Sequence, residues 1–344
     1  MSRRGLLIAG SAFTLAVLSA PAAVAAPELP TPSGSSTDAP AAGELGIQLL
    51  DGPASALNDP RAHIYIVDQV KAGTTITRHV RVSNRSAAPA DVSLYAAAAS
   101  ISHGQFVFAD GRTANDLTSW TSVTPPAPAL GPNATAVATV RIAVPKDATK
   151  GERYAVVWAQ IAKQPTGGGV TEVSRVGVRI YLDVANGPQA SSFSIGQLTA
   201  SRSSAGIPQI SARIRNTGQR AVDVSGTVRL SNGPGGLQTQ PVKTDQTLTL
   251  APGGSGTVSA RFDPQLPAGP WLVSLAMVSG TVKEQASATL TFPGAGHSVT
   301  VASNRADGSD GWLWTWLALG GLAVIVAAVA VATWLRRRVR PTRR

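Results

Sequence analysis

The chain has 344 residues, with Lys+Arg 30 against Asp+Glu 19 and a formal net charge of +11. Much of that excess sits at the two ends, in Arg3 and Arg4 and in Arg336, Arg337, Arg338, Arg340, Arg343 and Arg344. The middle is therefore close to neutral and offers no basic patch for nucleic acid. There is no cysteine, which excludes thiol chemistry and a disulfide framework and leaves folding to apolar burial in modules of ordinary size. Scarce Lys beside Arg, with abundant Ala and Gly, suggests a high-GC bacterial genome.

Residues 1–25 read as a secretory signal peptide. Ser2-Arg3-Arg4 is a basic start, Gly5 to Leu18 an apolar run, and Ala23-Val24-Ala25 a small-x-small cleavage pattern. Ser2 to Leu7 also half-resembles a twin-arginine signal. Residues 26–43 are Pro, Ser, Ala and Gly, lack the apolar surface to fold, and read as a disordered linker.

From 44 to 187 the pattern is one of short alternating strands. Ile76, Val80 and Val82 share one face, with Thr77, His79, Arg81 and Ser83 on the other. Val176, Val178, Ile180, Leu182 and Val184 are placed inward, and Arg175, Arg179, Tyr181 and Asp183 outward. Tyr154, Val156 and Trp158 form a further stripe, from which Trp158 reads as core. Turn signals at His103-Gly104, Asp110-Gly111, Lys150-Gly151 and Asn186-Gly187 separate the runs. A second module, 190–293, repeats the pattern: Ile210, Ala212 and Ile214 alternate with Ser211, Arg213 and Arg215, and Ala288, Leu290 and Phe292 close it. Both predict β-sandwiches.

Residues 294–311 read as a polar stalk. Residues 312–335, from Trp312 to Leu335, are uncharged and would cover roughly 36 Å as a helix, enough to cross a bilayer. Trp312, Trp314, Trp316 and Trp334 flank the stretch as an interfacial belt, and residues 336–344 form a basic tail. The charge asymmetry places the C-terminus in the cytoplasm and everything before Trp312 outside, as a single-pass, type I cell-membrane protein. The expected fold class is all-β: two tandem immunoglobulin-like sandwiches followed by one transmembrane helix.

The modules look like copies of one template. Arg78-His-Val-Arg-Val-Ser-Asn84, Leu130-Gly-Pro and Gly151-Glu-Arg-Tyr match Ile210-Ser-Ala-Arg-Ile-Arg-Asn216, Leu250-Ala-Pro and Gly269-Pro-Trp. The first module carries the longer middle, an inserted hairpin within Ala96 to Trp120. It concentrates ligand-capable side chains, and loops on a rigid scaffold commonly carry function. The candidate ligand-binding residues are His103, Gln105, Phe106, Asp110, Arg112, Asn115, Asp116 and Trp120. Trp120 is left open between core and surface.

Catalytic signatures are missing: there is no Gly-x-Ser-x-Gly elbow, phosphate loop, His-Glu-x-x-His or dinucleotide fingerprint. His63, His79, His103 and His297 are scattered without ligand spacing, so no metal or cofactor is expected. Glu152 with Asp147, and Asp110 with Asp116, read as surface acids in turns rather than a catalytic pair.

Asp59-Pro60-Arg61-Ala62, Tyr65-Ile-Val-Asp68, the Gly73 turn, Arg78-x-Val-x-Val-x-Asn84, Gly151-Glu-Arg-Tyr154 and Val178-Arg-Ile-Tyr181 resemble the WxL-interacting protein family. Residues 45–184 resemble its peptidoglycan-binding domain, in an actinobacterial version. The resemblance implies tandem immunoglobulin-like domains, a C-terminal membrane anchor, a basic tail, and a first domain assigned to the cell wall. The resulting expectation is a non-enzymatic, membrane-anchored surface protein whose first domain binds peptidoglycan through the hairpin. The alternative is an assembly or adhesion component that binds another cell-surface protein through a sheet edge.

Overall fold

A computed structural model describes residues 45–56, 58–163 and 169–305. The expected signal peptide, linker, membrane helix and basic tail lie outside the described residues. Within them the chain is all-β, with four main sheets in two sandwiches.

The first sandwich is built from β1 (Leu45–Leu49), β2 (Ile66–Val70), β3 (Thr75–Asn84), β4 (Ala90–Asp91), β5 (Ser93–Ser102), β6 (Gln105–Phe108), β7 (Thr121–Thr124), β8 (Ala129–Leu130), β9 (Thr135–Ala143), β10 (Gly151–Lys163) and β11 (Glu172–Val184). One sheet has the order β1-β3-β9-β7 and faces a second of order β2-β11-β10-β5-β6, while β4 and β8 pair separately. Alternation does what period-two patterning demands. Val80 and Val82 from β3, Val140 and Ile142 from β9, and Val178, Ile180 and Leu182 from β11 meet in one core. Each fully buried Val, Ile or Leu contributes about 1.5–3 kcal/mol.

The second sandwich comprises β12 (Phe193–Arg202), β13 (Pro208–Asn216), β14 (Val222–Ser231), β15 (Val242–Lys243), β16 (Leu248–Leu250), β17 (Ser255–Arg261), β18 (Trp271–Ser279), β19 (Val282–Leu290), β20 (Ser298–Val301) and β21 (Asn304–Arg305). Its sheets run β17-β13-β12-β20 and β15-β14-β18-β19-β21, with β16 added to β14. The expected stalk therefore needs correction at its start. Residues 298–301 pair antiparallel with β12, Leu198 opposite Val301 and Ser201 opposite Ser298. Val301 packs against the core, and Thr199 and Thr300 share a 2.8 Å hydroxyl hydrogen bond. This short Ser-Val-Thr-Val alternation covers what would otherwise be an open edge of β12.

The internal repeat has a physical basis. Asn84 ends β3 fully buried, and its Nδ2 donates to the carbonyls of Ala88, Leu130 and Gly131. Asn216 ends β13 and its Nδ2 donates to Arg220 and Leu250. In both, Oδ1 accepts a backbone N–H two residues on. The Asn and Leu landmarks therefore mark one device, a buried amide that closes the end of the sandwich. Gly151 and Gly269, the third landmark, share positive φ values of 127° and 119° at the entry to β10 and β18, a region open chiefly to glycine.

The second sandwich docks on one end of the outer face of the β2-β11-β10-β5-β6 sheet. Val67, Phe106, Tyr181 and Ala221 form a separate apolar cluster there. Around it lies a polar frame. Arg61 pairs with Asp59 at 2.9 Å and donates to the Ala221 carbonyl at 2.9 Å. The Ala221 N–H donates to Glu152 Oε2 at 2.6 Å. Tyr181 Oη donates to Asp223 Oδ1 at 3.1 Å, and Thr249 Oγ1 donates to the same oxygen at 2.7 Å. The hairpin tip closes the joint: the Thr249 N–H donates to the Gly104 carbonyl at 2.8 Å. Any side chain at Gly104 would overlap Leu248.

Candidate functional site

The hairpin residues singled out in the sequence do not gather on one exposed groove. Phe106 is 6% exposed and packs its ring against Tyr154 and Tyr181 at the joint, so it is not available to a ligand. Its apolar character follows from the sandwich that covers it. His103 sits in the turn at φ 50° with Nδ1 2.8 Å from Ser102 Oγ, and Gln105 is exposed beside it. Asp110 is exposed, and its carbonyl accepts from the Thr113 hydroxyl.

Asn115 caps the short helix α1 (Asp116–Trp120), accepting from the Thr118 N–H, and its Nδ2 donates to the Tyr154 carbonyl at 2.9 Å. Asp116 is exposed and 3.5 Å from Arg153, whose guanidinium lies 4.9 Å from the Trp120 ring. Trp120 is half-buried against the first core. Only Arg112 reaches a different and more open place.

That place is the outer face of β5, β10 and β11. Trp158 stands opposite Tyr95 on one side and Gly177 on the other. Adjacent cross-strand side chains are in contact distance, so the two rings form a continuous aromatic floor. Arg112 lies 3.9 Å above the Tyr95 ring, and Arg175 lies 4.7 Å from the Trp158 ring. Phe108 meets Trp158 edge-on at 4.9 Å. Trp158 is thus buried, but on the outer face and not in the sandwich core, which corrects the sequence expectation. Both faces of β10 are apolar, with Ala155, Val157, Ala159 and Ile161 pointing into the core, so alternation alone picks the wrong stripe.

Two details of this face stand out physically. The Trp158 indole N–H is buried with no hydrogen-bond partner, which is uncommon for a buried polar atom. Gly177 sits inside a strand, where a Cβ would lie 2.7 Å from the Trp158 ring and 2.6 Å from Val156. Glycine weakens a strand interior and commonly marks close approach of another group.

Beside the face runs an open edge. β11 pairs with β10 without interruption from Gly151–Val184 to Lys163–Glu172. On its other side β2 covers only Ile180 to Val184, in parallel. Among the described residues nothing pairs with 172–179 on that side. These eight positions extend about 26 Å at the usual strand rise. They contain no Pro and no bulge, though Glu172, Arg175 and Arg179 are charged side chains of the kind that blunts an edge, and Val173 is 51% exposed. β1 pairs with β3 in the facing sheet and runs close to β11 without forming a ladder with it.

Several of the stretches that carry the family resemblance meet at the joint, though the Gly73 turn and Arg78–Asn84 do not. Asp59, Arg61, Tyr65, Glu152, Tyr154, Arg179 and Tyr181 all lie around the contact with the second sandwich. Burial is the main influence on the Glu152 carboxyl and pushes its pKa above the usual value, with the Ala221 N–H and Tyr154 hydroxyl opposing. Burial likewise pushes Asp59 up, but the Arg61 hydrogen bonds and charge outweigh it and hold Asp59 below its ordinary value. Among the described residues no three His, Asp or Glu side chains group as a metal site.

No family model and no curated protein matches the sequence. Among solved structures, the chain is similar to the YadV chaperone (13% identity, TM-score 0.38, covering 72% of this chain and 100% of that chain). It is similar to the Salmonella enterica SafB chaperone, solved with the SafA pilin (11% identity, TM-score 0.39, 72% and 96%). It is also similar to the class 5 fimbriae chaperone CfaA (15% identity, TM-score 0.34, 75% and 99%). At these scores the likeness carries no argument about this chain.

Proposed function

We infer that this chain is a non-catalytic binding protein of the cell surface whose partner is another protein, captured as an extended strand on the free half of β11. The observation that carries this reading is the unpaired backbone of 172–179. Strand addition satisfies those N–H and C=O groups and needs only alternate side-chain contacts for specificity. In this reading the signal peptide delivers the chain outside the cell and the 312–335 stretch anchors it. The peptidoglycan reading rests on the inserted hairpin, whose Phe106 and Asn115 serve packing and capping. The edge reading is the better supported of the two, and the family resemblance is kept as a proposal of shared architecture.

The test is a photo-crosslinking amino acid placed at the exposed, outward Val173 in the native host, with a control at Thr257 on β17. The expected result is one dominant protein adduct from position 173, absent at 257 and unchanged by added wall fragments. Adducts equal at both positions, or an adduct abolished by wall fragments, would overturn the reading.

A further inference from the structure

Resting on the strand-capture reading, the geometry points to a carboxylate-recognition platform formed by Arg112, Tyr95, Trp158 and Arg175, which selects partner strands bearing an acidic side chain. Each guanidinium lies over a ring, Arg112 over Tyr95 and Arg175 over Trp158. A stacked Arg keeps its planar fork for a carboxylate. The Arg112 hydrogen bond is to a neutral hydroxyl, Ser93 Oγ at 2.7 Å, and among the described residues neither Arg112 nor Arg175 has a carboxylate within ion-pair distance. The outward residues around them are Tyr95, Ala97, Val156, Trp158, Gln160, Gly177 and Arg179, with no acid among them. Arg179 is different, since Asp223 lies 3.8 Å away, so it belongs to the joint.

The open edge beside these cations is the second, independent sign: β2 covers only Ile180 to Val184 of β11, so an extended partner on 172–179 would run alongside Arg175. Gly177 supplies the access: it lies between the platform and the free edge, and it is exposed. A strand laid along 172–179 would place every second side chain on the face where Arg175 stands. An Asp or Glu at the position beside Gly177 would reach the Arg175 guanidinium over the carbon edge of the Trp158 ring. An acidic strand is favoured over an anionic glycan because the open backbone edge adjoins the platform.

A displayed library of random twelve-residue peptides, selected on the full-length protein, tests the inference. Wild type is compared with Arg175→Gln, Arg112→Gln and Trp158→Phe, and hydrogen exchange of the 172–179 amides is followed with each selected peptide. The expected result is a set of alternating sequences with Asp or Glu fixed at one outward position. These should bind at least tenfold more weakly to R175Q, shift the Trp158 indole N–H resonance, and protect the 172–179 amides. Peptides that protect those amides without acid preference, or with affinity unchanged in R175Q and R112Q, would overturn the platform and leave strand capture standing. If no selected peptide protects the 172–179 amides, both fall.

Discussion

Trp158 and Trp271 stand in matching strands of the two sandwiches, each in the strand that follows a landmark glycine. Trp271 is 1% exposed at the centre of the second core, and its indole N–H donates to the Pro267 carbonyl at 3.0 Å. Trp158 points the other way, onto the outer face, with its N–H unpartnered. The contrast extends to the sheets around them. In the second sandwich the aromatic residue fills the interior and the outer surface carries ordinary polar side chains such as Ser274, Ser287 and Gln285. In the first, Tyr65, Tyr95, Phe106, Phe108, Tyr154, Trp158 and Tyr181 line one outer face. Half of that face is covered by the second sandwich and half is left to Arg112 and Arg175. In the proposed reading one template serves once as a spacer and once as a binding surface, and the structural difference lies on the outside of a sheet.

Several substitutions would break or sharpen this contrast. Trp271→Ala removes a core side chain with its satisfied hydrogen bond and should cost about 3–5 kcal/mol, read as a large fall in the denaturant midpoint. Arg61→Met removes the ion-pair partner of buried Asp59 and one of the two arginines near Asp223, which keeps Arg179, and should cost about 3 kcal/mol. Calorimetry should then resolve two transitions where the wild type has one, because the joint and not either core is weakened. Asn84→Ala and Asn216→Ala each orphan buried carbonyls, at about 2–3 kcal/mol. Asn84→Ala should be the worse, since Asn84 serves three carbonyls and Asn216 two.

Glu152→Gln is a pH experiment. The folded carboxyl holds its proton more tightly than the unfolded one. The contribution of Glu152 to stability should therefore be present below its unfolded value and decline as pH rises through the folded one. The glutamine variant should lack that decline, so its urea midpoint relative to wild type should improve from pH 4 to pH 7. An unchanged difference would mean that Glu152 is not held in the joint. Trp158→Phe should have the smallest effect on stability, under about 1 kcal/mol, because it deletes a polar atom that has no partner.

Much of the architecture is legible in the order of the residues alone. Simple alternation places Val178, Ile180, Leu182 and Val184 inward, and all are buried. The repeat is visible because Asn84 and Asn216 must be amides to reach several carbonyls at once. The outer face is not legible, for a physical reason: β10 is apolar on both sides, so period two cannot say which stripe faces the core. Phe106 looks like a ligand contact because a residue buried between sandwiches has the same composition as one buried by a ligand. Alternation correctly sets Arg175 outward, but nothing in its neighbours reveals that it stacks on Trp158. The open half of β11 depends on β2 reaching only Ile180, a property of pairing and not of side chains. The pairing of residues 298–301 is hidden by the shortness of the strand.

Amide hydrogen exchange along β11 in the isolated chain tests the central claim most directly. The amides of 172–179 that point away from β10 should exchange orders of magnitude faster than those of 180–184, where β2 completes the ladder. Partner binding should then slow them. Uniform protection of 172–184 before any partner is added would mean that the edge is already filled, and would contradict the account.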